Sequence, residues 1–238
     1  MPSAWCGRTE AARYTERAWQ IRIGTAIVGR GRAWGEHICA VYETEDEQLA
    51  TAAEYLADGL RAGERVFYVA ESPASVKRFR EALTRCGVNA AAKAKQGALV
   101  ESTHADAHLV DGRFDVERMM RLLNEAVESA LNDGFAGLRT CGDMSWLLQK
   151  PAGAESVVEY EALLNQFFEG IRGAGMCQYD RRRLPWHFVD HALATHSSAI
   201  VECVHKRNPF FRPAAIAMTR VPQPADLDWK VSELRRSP

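Results

Sequence analysis

No stretch of the 238-residue chain approaches the ~20 consecutive apolar residues that a membrane span needs, and the N-terminus lacks the continuous apolar core of a secretory signal. Nor is there charge of one sign: 30 Lys and Arg against 31 Asp and Glu leave a net −1. Such a balance gives no field that gathers nucleic acid or an anionic membrane. The basic clusters Arg181-Arg182-Arg183 and Arg235-Arg236 read as a solvated loop and a tail. Six cysteines, at 6, 39, 86, 141, 177 and 203, include no close pair and no CxxC, which excludes a disulfide framework. The expectation is a reduced, cytoplasmic protein with no membrane partner and no direct nucleic-acid partner.

Phosphate-binding glycine loops are missing too. There is no G-x-x-x-x-G-K-[ST] and no G-x-G-x-x-G, and Gly170, Gly173 and Gly175 fall where a helix should end. ATP is therefore not an expected cofactor.

What the chain does have is 47% apolar and 26% charged residues, enough for one sizeable core. Residues 1–35 are rich in Arg, Gly and Ala with scattered aromatics, and read as an N-terminal arm with one short element around Trp19 to Val28. From His37 the order sharpens. The apolar run His37-Ile38-Cys39-Ala40-Val41-Tyr42 predicts a strand. Thr44 followed by Glu47 is a capping box, so a helix should begin near Glu45 with Leu49, Ala53, Leu56 and Leu60 on one face.

Strands are expected at 65–70, 98–101, 137–141, 176–180 and 199–203. Helices should follow Ser72-Pro73 and Asp115, and occupy 155–171 and 185–195. The tail beyond Asn208 is proline-rich and predicted to be extended. Strand–helix alternation of this kind makes a three-layer α/β/α sandwich around a mostly parallel sheet. The domain organisation expected is an arm at 1–35, a single α/β domain at 36–208 and an extended tail at 209–238.

In open α/β sheets ligands bind beyond the carboxyl ends of the strands. The segments placed there are Tyr42-Glu43-Thr44, Glu71-Ser72, Cys141 to Trp146 and Tyr179-Asp180. Their carboxylates, thiols and aromatics suit a small, partly apolar ligand. A metal or haem site is a second possibility. His37 and Cys39 share one face of a strand, Cys177 lies on another strand, and His187, His191 and His196 lie on or just beyond one helix. A Cys/His nucleophile is a third, using Cys39, Cys141 or Cys177 with His37 or His191, although no catalytic motif is present. The plainer alternative throughout is cysteine as a small core hydrophobe and histidine bonded locally.

The run His37 to Tyr42 is followed by Gly59-Leu60-Arg61-Ala62-Gly63-Glu64-Arg65-Val66, Gly112-Arg113-Phe114-Asp115 and Gly137-Leu138-Arg139. Further along come Gly142-Asp143-Met144-Ser145-Trp146, Tyr160-Glu161-Ala162-Leu163-Leu164-Asn165, Cys177-Gln178-Tyr179-Asp180, and the segment Asp190 to His196. Together these resemble the MEDS domain, the sensory domain named for methanogens, methylotrophs and DcmR, over about residues 36–205. The resemblance implies a KaiC/RecA-like fold whose P-loop is lost. It implies a non-catalytic sensor of small organic molecules that signals to a regulatory protein or to another copy of itself. The ligand pocket expected on this basis comprises His37, Cys39, Tyr42, Glu71, Asp143, Trp146, Cys177, Tyr179 and His191. The metal alternative uses His37, Cys39, Cys177, His191 and His196 in a haem- or metal-dependent redox or gas sensor, and a pure protein-interaction module is the remaining alternative.

Overall fold

The computed structural model describes residues 34–219 and 223–237. The short element expected around Trp19 to Val28 lies outside the described residues. Strand β1 (His37–Tyr42) is followed by Thr44, whose side chain accepts from the Glu47 amide while Glu47 reaches back, so the capping box starts α1 (Glu45–Arg61) as expected. Strand β2 (Arg65–Ala70) leads through the Ser72 cap, with proline in the first turn, into α2 (Pro73–Arg85). A short α3 (Ala90–Lys95) precedes β3 (Leu99–Thr103). Asp115 caps α4 (Val116–Asn132), then β4 (Leu138–Asp143), α5 (Val157–Glu169), β5 (Gly173–Asp180), α6 (Trp186–Thr195), β6 (Ser198–Val201) and β7 (Val204–Arg207) follow.

Among the described residues seven strands form one sheet in the order β3-β2-β4-β5-β1-β6-β7. All neighbours are parallel except β6 and β7. The pleat sends alternate residues to opposite layers. Ile38 and Ala40 of β1 pack with Leu49, Leu56 and Leu60 of α1 and Phe79 and Leu83 of α2. Cys39 and Val41 pack on the other face with Leu123 of α4, Leu164 and Phe168 of α5, and Leu193 of α6. The three-layer sandwich is the expected architecture.

Four features differ from the sequence expectation, the first being the short α3, which no apolar periodicity announces. Gly173 and Gly175 open β5 instead of closing a helix. Gly175 sits opposite His37, and a Cβ there would lie 2.3 Å from the Phe168 ring, so that ring packs directly on the glycine backbone. Strand β7 was not anticipated, because an exposed polar edge strand has no apolar alternation to reveal it. The tail expected to be extended contains α7 (Ala214–Thr219) and α8 (Pro224–Arg236). The prolines that suggested extended chain stand instead at helix starts, Pro213 just before α7 and Pro224 at the first turn of α8. Leu227, Val231 and Leu234, at helical spacing, bury into the same core layer as α5 and α6.

Candidate functional site

The residues that sequence gathers into one pocket lie in two places. His37 is the first residue of β1 and Tyr42 the last, so they stand five residues and about 16 Å apart along the strand, on opposite faces. No single small ligand spans both.

The first place is the carboxyl end of the sheet. A cleft of about 510 Å³ is lined by Tyr42, Glu43, Glu45, Gln48, Glu71, Ser75, Asp180, Arg182 and Arg183. Larger surface depressions, about 600 Å³ beside α2 and α3 and about 710 Å³ along β7, lie away from the strand ends. Across the cleft Arg183 is paired with Glu71 at 2.9 Å, which holds the Glu71 carboxyl below its ordinary range. Asp180 accepts from the amides of Arg182 and Arg183 at 2.9 and 3.1 Å, which shapes the loop after β5.

Three amides around the start of α1, where a P-loop protein would hold phosphate, are engaged by side chains of the same turn. Glu47 Oε2 accepts from the Glu43 amide at 2.7 Å and from the Thr44 amide at 3.3 Å, and Thr44 Oγ1 accepts from the Glu47 amide at 3.2 Å. Glu45, Asp46 and Glu47 fill the first turn, so carboxylates occupy the positive end of the helix dipole.

Behind the cleft lies a buried polar cluster that the sequence points to only through Asp143 and Trp146. Trp146 stacks on Phe114 at 4.5 Å and on His108 at 5.5 Å, and His108 meets His104 edge-on at 5.7 Å. Nδ1 of His108 and Nε1 of Trp146 are buried with no hydrogen-bond partner, while His104 is held against the Asp143 backbone and Ser145 against the Asp143 carboxyl. His104 lies within the electrostatic reach of Asp143, Glu71 and Arg183, which connects the cluster to the cleft. Burial drives Asp143 and His104 toward their neutral forms, raising the carboxyl and lowering the imidazole, while their mutual attraction opposes both shifts. Burial, then the His104 charge, lowers His108 to about 3.

The second place is the dry layer between the sheet and α5 and α6. There His37, Cys177 of β5, Glu161 of α5 and His196 at the end of α6 bring their ligand atoms within 4.8 Å of one another, all buried. Tyr179 donates to Glu161 Oε1 at 2.6 Å. Cys177 Sγ is 3.6 Å from His37 Nε2, within hydrogen-bond reach for sulfur. The pair is sealed in the core, which does not suit a nucleophile that must meet substrate. Burial, then the His196 charge, lowers His37 to about 4, against the pull of Glu161 and Asn165. Burial alone would raise the Glu161 carboxyl, but the two imidazoles outweigh it and hold the group well below the carboxylate range.

Of the residues expected to act, Tyr42, Glu71, Asp143 and Trp146 therefore belong to the strand-end region, and His37, Cys177, Tyr179 and His196 to the buried cluster. Cys39 lies one pleat farther along β1 in the apolar core. His191 joins neither group. Glu161 was missed by sequence reasoning. Its signal was position: it falls on the stripe Val157-Glu161-Leu164-Phe168, a carboxylate on the buried face of an apolar helix. The four ligand atoms lie close enough together to face a single ion.

Comparison with known proteins agrees with this architecture. The family model described as "MEDS: MEthanogen/methylotroph, DcmR Sensory domain" matches residues 36–197. The chain is 27% identical over 183 residues to the transcriptional repressor DcmR of Methylorubrum extorquens, covering 72% of this chain and 62% of that protein. It thus spans less than two thirds of the repressor's length. Its fold is similar to that of the KaiC-like protein PH0186 of Pyrococcus horikoshii, with a TM-score of 0.51 and 14% identity over 72% of each chain. It is likewise similar to the flagellar accessory protein FlaH of Methanocaldococcus jannaschii, with a TM-score of 0.51 and 16% identity over 74% of each. Among the described residues no helix is long and apolar enough to cross a membrane.

Proposed function

The chain belongs to the MEDS sensory-domain family, and on that premise we propose that it is a non-catalytic sensor that binds a small polar organic molecule at the carboxyl end of its sheet and signals to a regulatory protein. The sensory role follows from the family and accords with a repressor as relative. The observation that carries the ligand site is the pair of buried, unpartnered polar atoms behind the cleft, His108 Nδ1 and Trp146 Nε1, beside the polar groups of His104 and Ser145. Buried polar groups are paired in folded proteins, and each one left alone costs about 1–3 kcal/mol. A small molecule carrying hydroxyl, carbonyl or amine groups satisfies them while its apolar part rests on Trp146 and Phe114. The occupied helix cap and its acidic first turn disfavour a nucleotide phosphate at the same corner. Binding here would order the loops after β1, β2 and β5, including the Glu71–Arg183 bridge, and so alter the surface offered to a partner.

The test is a thermal-shift titration of the full chain with small alcohols, aldehydes, amines and carboxylates, with native mass spectrometry of the protein as purified. At least one compound should raise the melting temperature saturably, and Trp146→Ala or His104→Leu should abolish that rise. If no compound shifts the wild type at saturating concentration and nothing co-purifies, the small-molecule sensor is wrong.

A further inference from the structure

We propose that His37, Glu161, Cys177 and His196 form a closed, four-ligand site for a transition-metal ion, zinc in first place. This site lies apart from the strand-end cleft and does not depend on the ligand assigned there.

The first support is the direction in which the imidazoles face. Asn165 donates through Nδ2 to the carbonyls of Thr195 and Glu161 at 2.8 and 3.2 Å, which fixes its Oδ1 as an acceptor. His37 Nδ1 faces that oxygen at 3.3 Å and so carries the proton. His196 Nδ1 donates to the Ala192 carbonyl at 2.8 Å. Both rings therefore carry hydrogen on the far nitrogen, and both aim Nε2 at the same Glu161 oxygen, each at 3.2 Å. Neither Glu161 Oε2 nor His196 Nε2 has a hydrogen-bond partner, although both residues are buried. A proton on one imidazole would satisfy one contact and leave the other lone pair against a carboxylate oxygen. A cation at the centre satisfies all of them together.

The second support is size. Tetrahedral zinc, with bonds of about 2.0–2.2 Å to nitrogen and oxygen and about 2.3 Å to sulfur, sets ligand edges of about 3.3 Å for N–O and about 3.6 Å for N–S. Three of the six separations match this closely, 3.2 Å for both N–O edges and 3.6 Å for His37 Nε2 to Cys177 Sγ, and the other three lie within 4.8 Å. The third is the outer shell. Metal-bound histidines characteristically donate their second N–H to a carbonyl or carboxylate, as both do here, and Tyr179 holds the far carboxylate oxygen. A mixed set of two nitrogens, one oxygen and one sulfur in a tetrahedron suits zinc.

Binding replaces the Cys177 S–H by a thiolate–metal bond and releases that proton to solvent. The ion then ties the two central strands β1 and β5 to α5 and to the end of α6. With four buried protein ligands, its role is to hold the fold together.

The experiment uses the full chain, kept reduced, stripped with chelator, incubated with Zn²⁺ alone and dialysed. Elemental analysis should find one zinc per chain, and the melting temperature should rise on reloading. Glu161→Gln and Cys177→Ser should lose retention, and Asn165→Leu should weaken affinity about 10- to 100-fold. Loaded with Co²⁺, the wild type should show a thiolate-to-cobalt charge-transfer band that Cys177→Ser removes. If the ligand variants fail to fold, the wild-type Co²⁺ spectrum and zinc content decide by themselves. Substoichiometric zinc after reloading, or no thiolate band with cobalt, overturns the site.

Discussion

Gly175→Ala separates two physical expectations of opposite sign. Glycine inside a strand leaves the unfolded chain with extra freedom, and replacing it by alanine at a compatible position stabilises by about 0.4–1 kcal/mol. Gly175 is not in the left-handed region, so backbone strain does not enter. Its surroundings do. A Cβ at this position meets Phe168 Cε2 and Cζ at 2.3 Å and Thr140 Oγ1 at 3.2 Å. Phe168 is 1% exposed and packs against His37 with ring centroids 5.7 Å apart, so its ring has no free space to yield into. Overpacking of this kind costs about 1–3 kcal/mol. Set against the entropic gain, the variant should be about 1–2 kcal/mol less stable than wild type. At about 2–4 °C per kcal/mol for a chain of this size, that lowers the melting temperature by several degrees. Calorimetry or urea unfolding measures it. In a double-mutant cycle Phe168→Leu should relieve much of the penalty, so the pair is less destabilised than the sum of the singles. A Gly175→Ala protein as stable as wild type, or additive with Phe168→Leu, would refute the claim that the ring packs on the glycine.

Other perturbations probe different parts of the same frame. Glu64→Gln breaks the buried pair in which Arg139 Nε donates to Glu64 Oε2 at 2.7 Å, and should cost about 3–5 kcal/mol in urea unfolding because the guanidinium stays buried. Thr44→Ala removes the cap of α1 and should cost about 1 kcal/mol, with faster amide exchange confined to the first turn. Leu234→Ala, in the helix where extended chain was expected, should cost about 2–5 kcal/mol; a surface-like value below 0.5 kcal/mol would mean that α8 does not dock. Because the folded protein holds His108 near 3, the unfolded chain takes up that proton first as the solution is acidified. The stabilisation is complete above the ordinary histidine value of about 6.5 and is lost at about 1.4 kcal/mol per pH unit from there toward 3. His108→Leu should flatten that part of the stability–pH curve, and an unchanged slope would contradict the assignment.

How much of this was legible in the sequence depended on whether a signal was local. The capping box at Thr44 and Glu47, the Ser72-Pro73 start and the Asp115 cap all announce helices within four residues, and each helix begins there. The parallel sheet followed from alternation. Elements without apolar periodicity went unseen, namely the alanine- and lysine-rich α3 and the polar β7. In the tail, proline suggests extended chain by its abundance, but its position in the first turn, followed by Leu227, Val231 and Leu234, marks a helix. For the site, residue types were readable and grouping was not. His37 and Cys177 meet through the register of β1 on β5, and Glu161 and His196 reach them from helices on one face, contacts between residues up to 159 positions apart. His104 and His108 sit in a loop whose packing, His108 on Trp146 and His104 on His108, no spacing rule encodes.

The carboxylate-filled turn after β1 and the buried cluster have a common physical logic. Here the turn after β1 is tied to its own helix by Glu47, and Glu43 is bridged to Arg181 at 2.6 Å and to Arg235 of α8 at 2.8 Å. Arg181 also meets Asp228 of α8 at 2.5 Å, and Lys230 pairs with the buried Asp190 of α6. The C-terminal helix is thus fastened to the rim of the strand-end cleft through the residue that follows β1. On the proposed sensor reading, a ligand that draws Arg183 from Glu71, or repositions the loop from Asp180 to Arg183, should change the geometry of Arg181 and with it the seat of α8. The base of β1 stays fixed by His37 in the dry layer, so the movement is confined to the cleft end. Hydrogen–deuterium exchange with a binding compound should therefore change protection in α8 and the Asp180–Arg183 loop while leaving the amides of β1 and β5 unchanged. Equal changes in the central strands would mean that the core, and not the C-terminal helix, carries the response.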